Sequence, residues 1–370
     1  MHQQFSILLV SDQANSLRTT SPLGRMCLSL VQNYGQQVTV LTELGNDEDW
    51  PEIEGLRRVG NSTKKHDQKQ LVGAISAELK GGDYDLLHLI GRGVFAAGIK
   101  AAKGWPGKVI THFNGEPATR WWTGRAYFEH LHPRVDAIFS HRHEQIRLIS
   151  AAPFSSRSQT SVVAFGHDPS WYENVTASNL EGTYGIPDDR ITVLIRASGS
   201  EGLDYLGEAI RRLPADLGLH FLILGKGLQT PEFESFLTDS YYAHQYTFVE
   251  EVDNEVALLS AVDAVVFPHL NARASLQPLY AALFAGLPVL HVGGPMQQLN
   301  EDLILIVPPK DEDALRDALQ SLAESPALRN RLGDAAGQFA RDYLNAEKTT
   351  GRLLDAYTVL VKGPGHTLYR

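Results

Sequence analysis

Two segments of the 370-residue chain combine residue types suited to handling negative charge. The first, RASGSEG (196–202), follows the apolar run ITVLI and precedes the helix-forming stretch GLDYLGEAIRRL. Arg196 at a strand end can fork onto a diphosphate, and Ser198, Gly199 and Ser200 add hydroxyl and amide donors. Glu201 works against that chemistry, because like charges at close range repel. The second segment, NARASLQPLYAALFAGLPVLHVGG (271–294), reads as a turn, a helix, a Gly-Pro break and a buried strand. Pro278 fits the opening turn of a helix, where its missing N–H costs nothing; Gly286 closes the helix and Pro288 blocks its continuation. Free amides at such a start, reinforced by the helix dipole, make a seat for a phosphate. An ordinary connecting αβ unit accounts for the same residues.

Other chemistry-bearing residues are scattered along the chain. HFNGEP (112–117) puts His112 at the end of a strand beside Asn114 and Gly115, where α/β folds place working residues, although a structural histidine fits equally well. TRWWTGRAYFEHLHPR (119–134) joins Arg120 to Trp121 and Trp122, a combination able to receive a sugar, a lipid headgroup or an aromatic acceptor, or simply to pack as a surface helix. The first βα turn (11–25) holds one glycine, Gly24, and so lacks the G-x-G-x-x-G dinucleotide pattern; Ser21 and Gly24 still allow amides to approach a ligand. LGKGL (224–228) supplies a second glycine turn, Gly225 and Gly227, as a backbone platform for a nucleobase. No Ser/His/Asp order, H-E-x-x-H or Walker pattern occurs. Asp47/Asp49 and Asp311/Asp313 read as loop and helix-start acids, and Cys27 stands alone, so neither a metal site, a metal cofactor nor a disulfide framework is expected.

These residues need elements to position them. Apolar runs recur with helical stretches between them, the pattern of parallel α/β sheets. A first series covers 6–10, 38–41, 86–90, 108–113, 137–140 and 161–165; a second covers 191–196, 221–225, 246–249, 264–268, 288–292 and 304–307. The polar, turn-rich stretch between them marks a boundary. The expected division is a first domain at 1–170, a linker at 171–190, a second domain at 191–345, and a C-terminal helix and tail at 346–370 whose return to the first domain is left open. Asp311 is placed to cap the first tail helix. The fold class expected is α/β: two Rossmann-like doubly wound domains facing a central cleft, followed by a helical tail, with ligands at the C-terminal strand edges.

Composition narrows the partners. Apolar residues make up 43% and charged residues 21% of the chain, a globular balance. Net charge is −10, distributed as about +2 over residues 1–170 and −12 over the rest. An acidic chain without a basic stripe argues against nucleic acid. The N-terminus carries no charged leader and no apolar run reaches membrane-spanning length, so a cytoplasmic protein is expected, with peripheral contact at the inner membrane face left open.

Taken in order, DLLHLIG (85–91), VITHFNG (109–115), VVAFGHD (162–168), VLIRASGSEGLDYLGEAI (193–210), FLILGKG (221–227), YTFVEEVDNEVALLSAVDAVVFPHL (246–270) and SLQPLYAALFAGLPVLHVGG (275–294) resemble the retaining GT-B glycosyltransferases of the group that includes sucrose synthase and glycogen synthase relatives. The resemblance covers nearly the whole chain. It implies a UDP- or GDP-type sugar donor on the C-terminal domain and a sugar, lipid-linked or protein acceptor on the N-terminal one, near Asn114, Arg120, Trp121 and Trp122. It implies no covalent nucleophile. Arg196 would hold the diphosphate, the amides near Ser275, Leu279 and Tyr280 its distal phosphate, His112 the transferring sugar, and the turns at Gly225, Gly227 and Val249 the nucleoside. Three positions depart from the family pattern. Its lysine falls on Glu201, and its two glutamates, eight residues apart, fall on Arg273 and Ala281. An active transferase in which Arg273 replaces the lost cation, a noncatalytic partner or glycan-binding relative, and a nucleotide-sugar epimerase are the readings this leaves.

Overall fold

The computed structural model describes residues 3–12, 21–43, 52–61, 67–113, 126, 129, 131–152, 158–197, 199–268, 275–293, 296 and 299–363. The chain forms two compact units, one comprising Met1–Asp168 with Leu344–Arg370 and the other Pro169–Tyr343.

Unit 1 is built on a seven-stranded sheet of order β3-β2-β1-β4-β5-β6-β7. Its strands are β1 (Ser6–Ser11), β2 (Gln37–Glu43), β3 (Leu56–Asn61), β4 (Leu86–Ile90), β5 (Lys108–Phe113), β6 (Ala137–Ser140) and β7 (Gln159–Val162). Every described pairing is parallel. That explains why the central strands read as unbroken apolar runs: both faces are covered. One face packs on α1 (Pro22–Gln32), with Met26, Cys27 and Leu30 in the core, and the other on α2 (Gln68–Gly81) and α3 (Arg92–Ala101), through Ile75, Val94 and Phe95. A further helix, α4 (His143–Ser150), follows β6.

β1 and β2 extend the expected runs 6–10 and 38–41 at their ends, and two further strands of this sheet depart from the sequence expectation more widely. β3, LRRVGN, was not anticipated; it is an edge strand that pairs only with β2, and two consecutive arginines break its apolar pattern. The last strand runs over 159–162 rather than 161–165, because the chain leaves the ladder after Val163 donates to the Ser140 carbonyl at 2.9 Å.

Unit 2 holds a six-stranded parallel sheet of order β10-β9-β8-β11-β12-β13, with β8 (Ile191–Arg196), β9 (Leu219–Leu224), β10 (Tyr246–Val249), β11 (Ala264–Phe267), β12 (Val289–Val292) and β13 (Leu305–Val307). Its helices are α5 (Leu180–Tyr184), α6 (Leu203–Arg211), α7 (Pro231–Thr238), α8 (Glu255–Leu259), α9 (Gln277–Phe284), α10 (Glu312–Glu324) and α11 (Pro326–Phe339). One core joins α6, α7, α10 and α11 to the sheet through Leu206, Phe233, Leu315 and Leu332. Gly286 ends α9 with φ +70°, and the chain packs so closely there that a Cβ on Gly333 would lie 2.2 Å from the Gly286 carbonyl.

The last helix, α12 (Ala346–Lys362), belongs to unit 1 and packs on α1 with Leu353, Leu354 and Tyr357 buried. It is fixed at its start by a parallel bridge: His167 N–H donates to the Leu344 carbonyl at 3.0 Å and Ala346 N–H to the His167 carbonyl at 2.8 Å. Gly166 is required at this contact, since a Cβ would come 2.3 Å from the Leu344 carbonyl. No helix among the described residues is long and apolar enough to cross a membrane.

Candidate functional site

In unit 2 the strand order reverses between β8 and β11, and the crevice at such a switch point is where doubly wound sheets bind ligands. Glycines shape it. Gly202 sits at φ +88°, where a Cβ would meet the Pro268 carbonyl at 2.5 Å, and Tyr205 Oη donates to that same carbonyl at 2.8 Å. Gly225 at φ +151° leaves no room for a Cβ, which would lie 2.4 Å from the Ala197 carbonyl; its N–H donates to the Val249 carbonyl at 3.0 Å. Gly199, by contrast, faces open space, and Gly227 closes the second turn at φ +68°.

The helix starts differ in a telling way. α5, α7, α8, α10 and α11 each begin with a side-chain cap, from Asn179, Thr230, Asn254, Asp311 and Ser325 respectively. α6 and α9, the two that follow β8 and β11, have no N-cap side-chain hydrogen bond. Backbone donors at a helix start need partners; among the described residues these two starts at the switch point take none from an N-cap side chain, and in α6 the Leu203 N–H is given to the Ser200 carbonyl at 3.2 Å. Within α9, Gln277 N–H is taken by Ser275 Oγ at 3.2 Å, Pro278 has no N–H, and Tyr280 N–H makes the first ladder bond, to the Leu276 carbonyl at 3.0 Å. Of the two amides expected to meet a phosphate, Tyr280's is therefore spent on the helix, and Leu279's precedes the ladder.

Charges at this edge come in pairs. Arg196 donates from Nε to Glu255 Oε1 at 2.9 Å, with both side chains partly buried. Lys226 pairs with Glu251 on the surface, where such a pair contributes little. Glu201 is exposed in the turn before α6. Tyr172 stacks on Phe284 at 5.3 Å, and burial followed by the Glu255 charge pushes its phenol up. Ala281 is buried in α9 and offers no hydrogen-bonding side chain. Ser198 and Arg273 lie outside the described residues.

Unit 1 reverses its strand order between β1 and β4, yet its crevice is filled from within. The Asp12 carboxylate accepts from Gly93 N–H at 2.7 Å and lies where a Cβ on Gly91 (φ +87°) would sit, 2.0 Å from Oδ1. α3 thus begins against the protein's own anion. Gly24, expected to offer an amide to a ligand, is buried inside α1 with its N–H donated to the cap Ser21 Oγ at 3.0 Å. A cavity of about 560 Å³ opens at the opposite, N-terminal strand ends, where the Arg57 guanidinium already bonds Glu78 and, at 2.7 Å, Tyr84 Oη.

His112 is wholly buried. Its Nε2 lies 3.0 Å from the Val163 carbonyl and its Nδ1 3.1 Å from His88 Nε2, while His88 Nδ1 lies 2.6 Å from Tyr357 Oη. The carbonyl fixes the proton positions. His112 must carry its proton on Nε2, so Nδ1 accepts from His88 Nε2–H, and His88 Nδ1 accepts from the Tyr357 hydroxyl. Burial holds both rings neutral: His88 is pushed down to about 3, and His112 well below the ordinary histidine value by burial with the neighbouring His141 and His88. His112, expected to touch a sugar, has both nitrogens committed inside the protein. His88, Tyr357, His141 and Glu255 were not singled out in the sequence. A histidine inside the apolar run LLHLI was the available signal for the first; the others depend on tertiary placement. Asn114, Arg120, Trp121 and Trp122 lie outside the described residues. No cluster of three or more metal-ligating side chains occurs among the described ones.

Residues 189–325 match the family model described as Glycosyl transferases group 1. None of the curated proteins compared matches the chain. Among solved structures, the chain is similar to sucrose-phosphate synthase from Thermosynechococcus elongatus, with 18% identity over 96% of this chain and 99% of that one and a TM-score of 0.71. It is similar to Anabaena HepE in complex with UDP, with 14% identity over 95% and 99% and a TM-score of 0.69. It is also similar to a protein described as a UDP-N-acetylglucosamine 2-epimerase from Listeria monocytogenes, with 12% identity over 97% of each chain and a TM-score of 0.61. These likenesses establish the GT-B fold, with two Rossmann-like α/β units and C-terminal helices, which transferases and an epimerase share.

Proposed function

We propose that the protein is a glycosyltransferase of the group 1 type that moves a sugar from a nucleoside diphosphate donor of the UDP or GDP kind to a hydroxyl-bearing acceptor. One observation carries this reading: at the unit 2 switch point, beside Arg196, stand the two helices of that unit that, among the described residues, start without side-chain caps. The group 1 match over the same unit and the UDP bound to the HepE relative support the donor class. In this reading the amides of Gly199 and Leu279 and the Arg196 fork take the diphosphate, and the glycine turns at Gly225 and Gly227 seat the nucleoside. Arg196 exchanges Glu255 for phosphate oxygen as the donor enters. Donors aimed at a leaving diphosphate lower the barrier to its departure without a covalent nucleophile, and attack by the acceptor hydroxyl on the face the diphosphate leaves gives transfer with retention. The acceptor is assigned to unit 1.

A second reading is favoured by a separate observation. Both cations described at the unit 2 edge are already paired with carboxylates, Glu201 adds a further negative charge, and Ala281 offers no group to a ribose. A noncatalytic relative that partners an active transferase fits those facts. Incubation with UDP-glucose, UDP-N-acetylglucosamine and GDP-mannose, followed by analysis of the products, separates the possibilities. The transferase reading expects nucleoside diphosphate release with sugar passed to water or an added acceptor. Intact donor in every case supports the noncatalytic relative, and an isomerised sugar an epimerase.

A further inference from the structure

The cavity of about 560 Å³ in unit 1 lies at the N-terminal ends of the first three strands, beside the last turn of α2. Its volume falls within the range of small-molecule sites, about 300–1,000 Å³. Val38 and Thr39 of β2 and Leu56 of β3 line one side, and the end of α2 with the turn Gly82–Tyr84 lines the other, so every wall belongs to unit 1. The Tyr84 ring rests against Gly82, where a Cβ would come within 2.4 Å of it.

The polar groups of this cavity form a closed network with bonding capacity to spare. Arg57 Nη2 donates to Glu78 Oε2 and, at 2.7 Å, to Tyr84 Oη, while Tyr84 Oη donates to the same Glu78 oxygen at 2.9 Å. Two donors thus hold one carboxylate oxygen, and Glu78 Oε1 is left over. The Arg57 side chain is 55% exposed, and among the described residues its Nε and Nη1 donate to nothing. Asp83 and Gln37, both exposed, bring side chains that make no hydrogen bond there either. We infer that this cavity binds a neutral saccharide, through hydroxyls that accept from Arg57 Nε and Nη1 and donate to Glu78 Oε1 and Asp83.

The mixture of charges selects the ligand class. A phosphate or carboxylate would meet an Arg57 already neutralised by Glu78, with Asp83 and the C-terminal end of the α2 dipole adding negative potential. An ammonium group would meet the remaining donors of Arg57. A hydroxyl accepts from the guanidinium and donates to the carboxylate, and neighbouring hydroxyls of a pyranose ring can serve both at once. Because Arg57, Glu78 and Tyr84 already hold one another, less side-chain freedom is lost on binding. The cavity lies at the strand ends opposite those where doubly wound sheets place their reacting ligands. It therefore goes beyond the transferase reading, as a hold on a glycan away from the site of transfer, and stands or falls apart from the donor seat on unit 2.

Arginine Nε–H NMR of the full chain, with the Arg57 signal assigned through Arg57→Lys, tests this with maltose, cellobiose, lactose and N,N′-diacetylchitobiose as probes and with inorganic phosphate and spermidine as charged controls. A saccharide should shift the Arg57 signal saturably, and neither control should. By calorimetry, Arg57→Ala should weaken the responding saccharide about 10- to 100-fold, as expected for lost hydrogen bonds from a charged group. Ala77→Trp fills the cavity from an exposed position of α2 without altering the network, and should weaken binding at least as much. Excess UDP should not displace the saccharide. No shift with any saccharide, a shift with phosphate or spermidine, full affinity in Ala77→Trp, or displacement by UDP overturns the inference and leaves the transferase reading standing. Donor sugars that stay intact overturn that reading alone, while a saccharide response at Arg57 still upholds this one.

Discussion

The C-terminal edges of the two sheets solve the same geometric problem in opposite ways. Each has a switch point with a helix start aimed into it. In unit 1 that start is closed by the protein's own carboxylate, Asp12, and the neighbouring strand ends carry neutral histidines bonded to one another and to Tyr357. In unit 2 the two helix starts at the switch point lack an N-cap side-chain bond, the turn glycines Gly199 and Gly227 face open space, and Arg196 and Lys226 are held in ion pairs. The first edge presents neutral side chains bonded within the unit, whereas in the proposed reading the second takes an anion that trades places with a carboxylate. A shared fold thus leaves the ligand class to be set by what occupies the helix starts.

The contrast can be broken most forcefully by acid. His88, His112 and His141 are held by burial below the ordinary 6.5, so the unfolded chain takes up protons that the folded chain refuses. Stability is fully present above the unfolded value and is lost as pH falls from about 6.5 toward the folded values, about 3 for His88 and His141 and well below the ordinary value for His112, at about 1.4 kcal/mol per pH unit for each histidine. Urea midpoints measured from pH 7 to 4 should fall steeply, and His141→Phe should lessen the slope by one proton; a flat profile would show that the row is not neutral and buried. Next in size, Tyr357→Phe strands His88 Nδ1 without its donor and should cost about 1–3 kcal/mol in the same experiment, since a buried acceptor loses its partner. Wild-type stability would remove Tyr357 from the chain of hydrogen bonds.

Smaller effects sharpen the unit 2 side. Gly225→Ala places a Cβ against the Ala197 carbonyl at an unfavourable φ, and should weaken nucleotide binding more than it lowers thermal stability, because the turn shifts locally. Equal losses in both would assign Gly225 to the fold alone. Glu255→Gln should be the mildest: by freeing Arg196 it should tighten UDP or GDP binding by about 2- to 5-fold, an effect within the range of a partly exposed ion pair. Weaker binding would mean that Glu255 orients Arg196 for the phosphate instead of competing for it.

Much of the scaffold was legible in local pattern. ITVLIR, YTFV, LLHLI, KVITHF and AIFS are strands with the expected bounds, and Asp311 caps its helix by accepting from Ala314 N–H at 2.9 Å. Short apolar runs between helical stretches carry that information because parallel strands are buried on both faces. The edge strand LRRVGN escaped because an edge needs less apolar surface and alternates with arginine. The site was less legible. Arg196 and Glu255 are 59 residues apart, and their pairing follows from the order of β8 and α8 in space. The histidine row exists only in the register of three strands, so His112 taken alone looked like a strand-end working residue when its nitrogens serve the interior. Gly24 and Tyr280 were read as amide donors from position, whereas the cap of α1 and the ladder of α9 consume their N–H groups.

The central claim is that an anionic nucleotide seats on unit 2 at Arg196. Calorimetric titration of UDP, GDP and ADP into the wild-type chain and into Arg196→Ala tests it directly. One nucleotide should bind the wild-type protein and lose about 10- to 100-fold in affinity on removal of the guanidinium, as expected for charge-assisted hydrogen bonds to phosphate. No binding by any of the three, or equal affinity for both proteins, would contradict it.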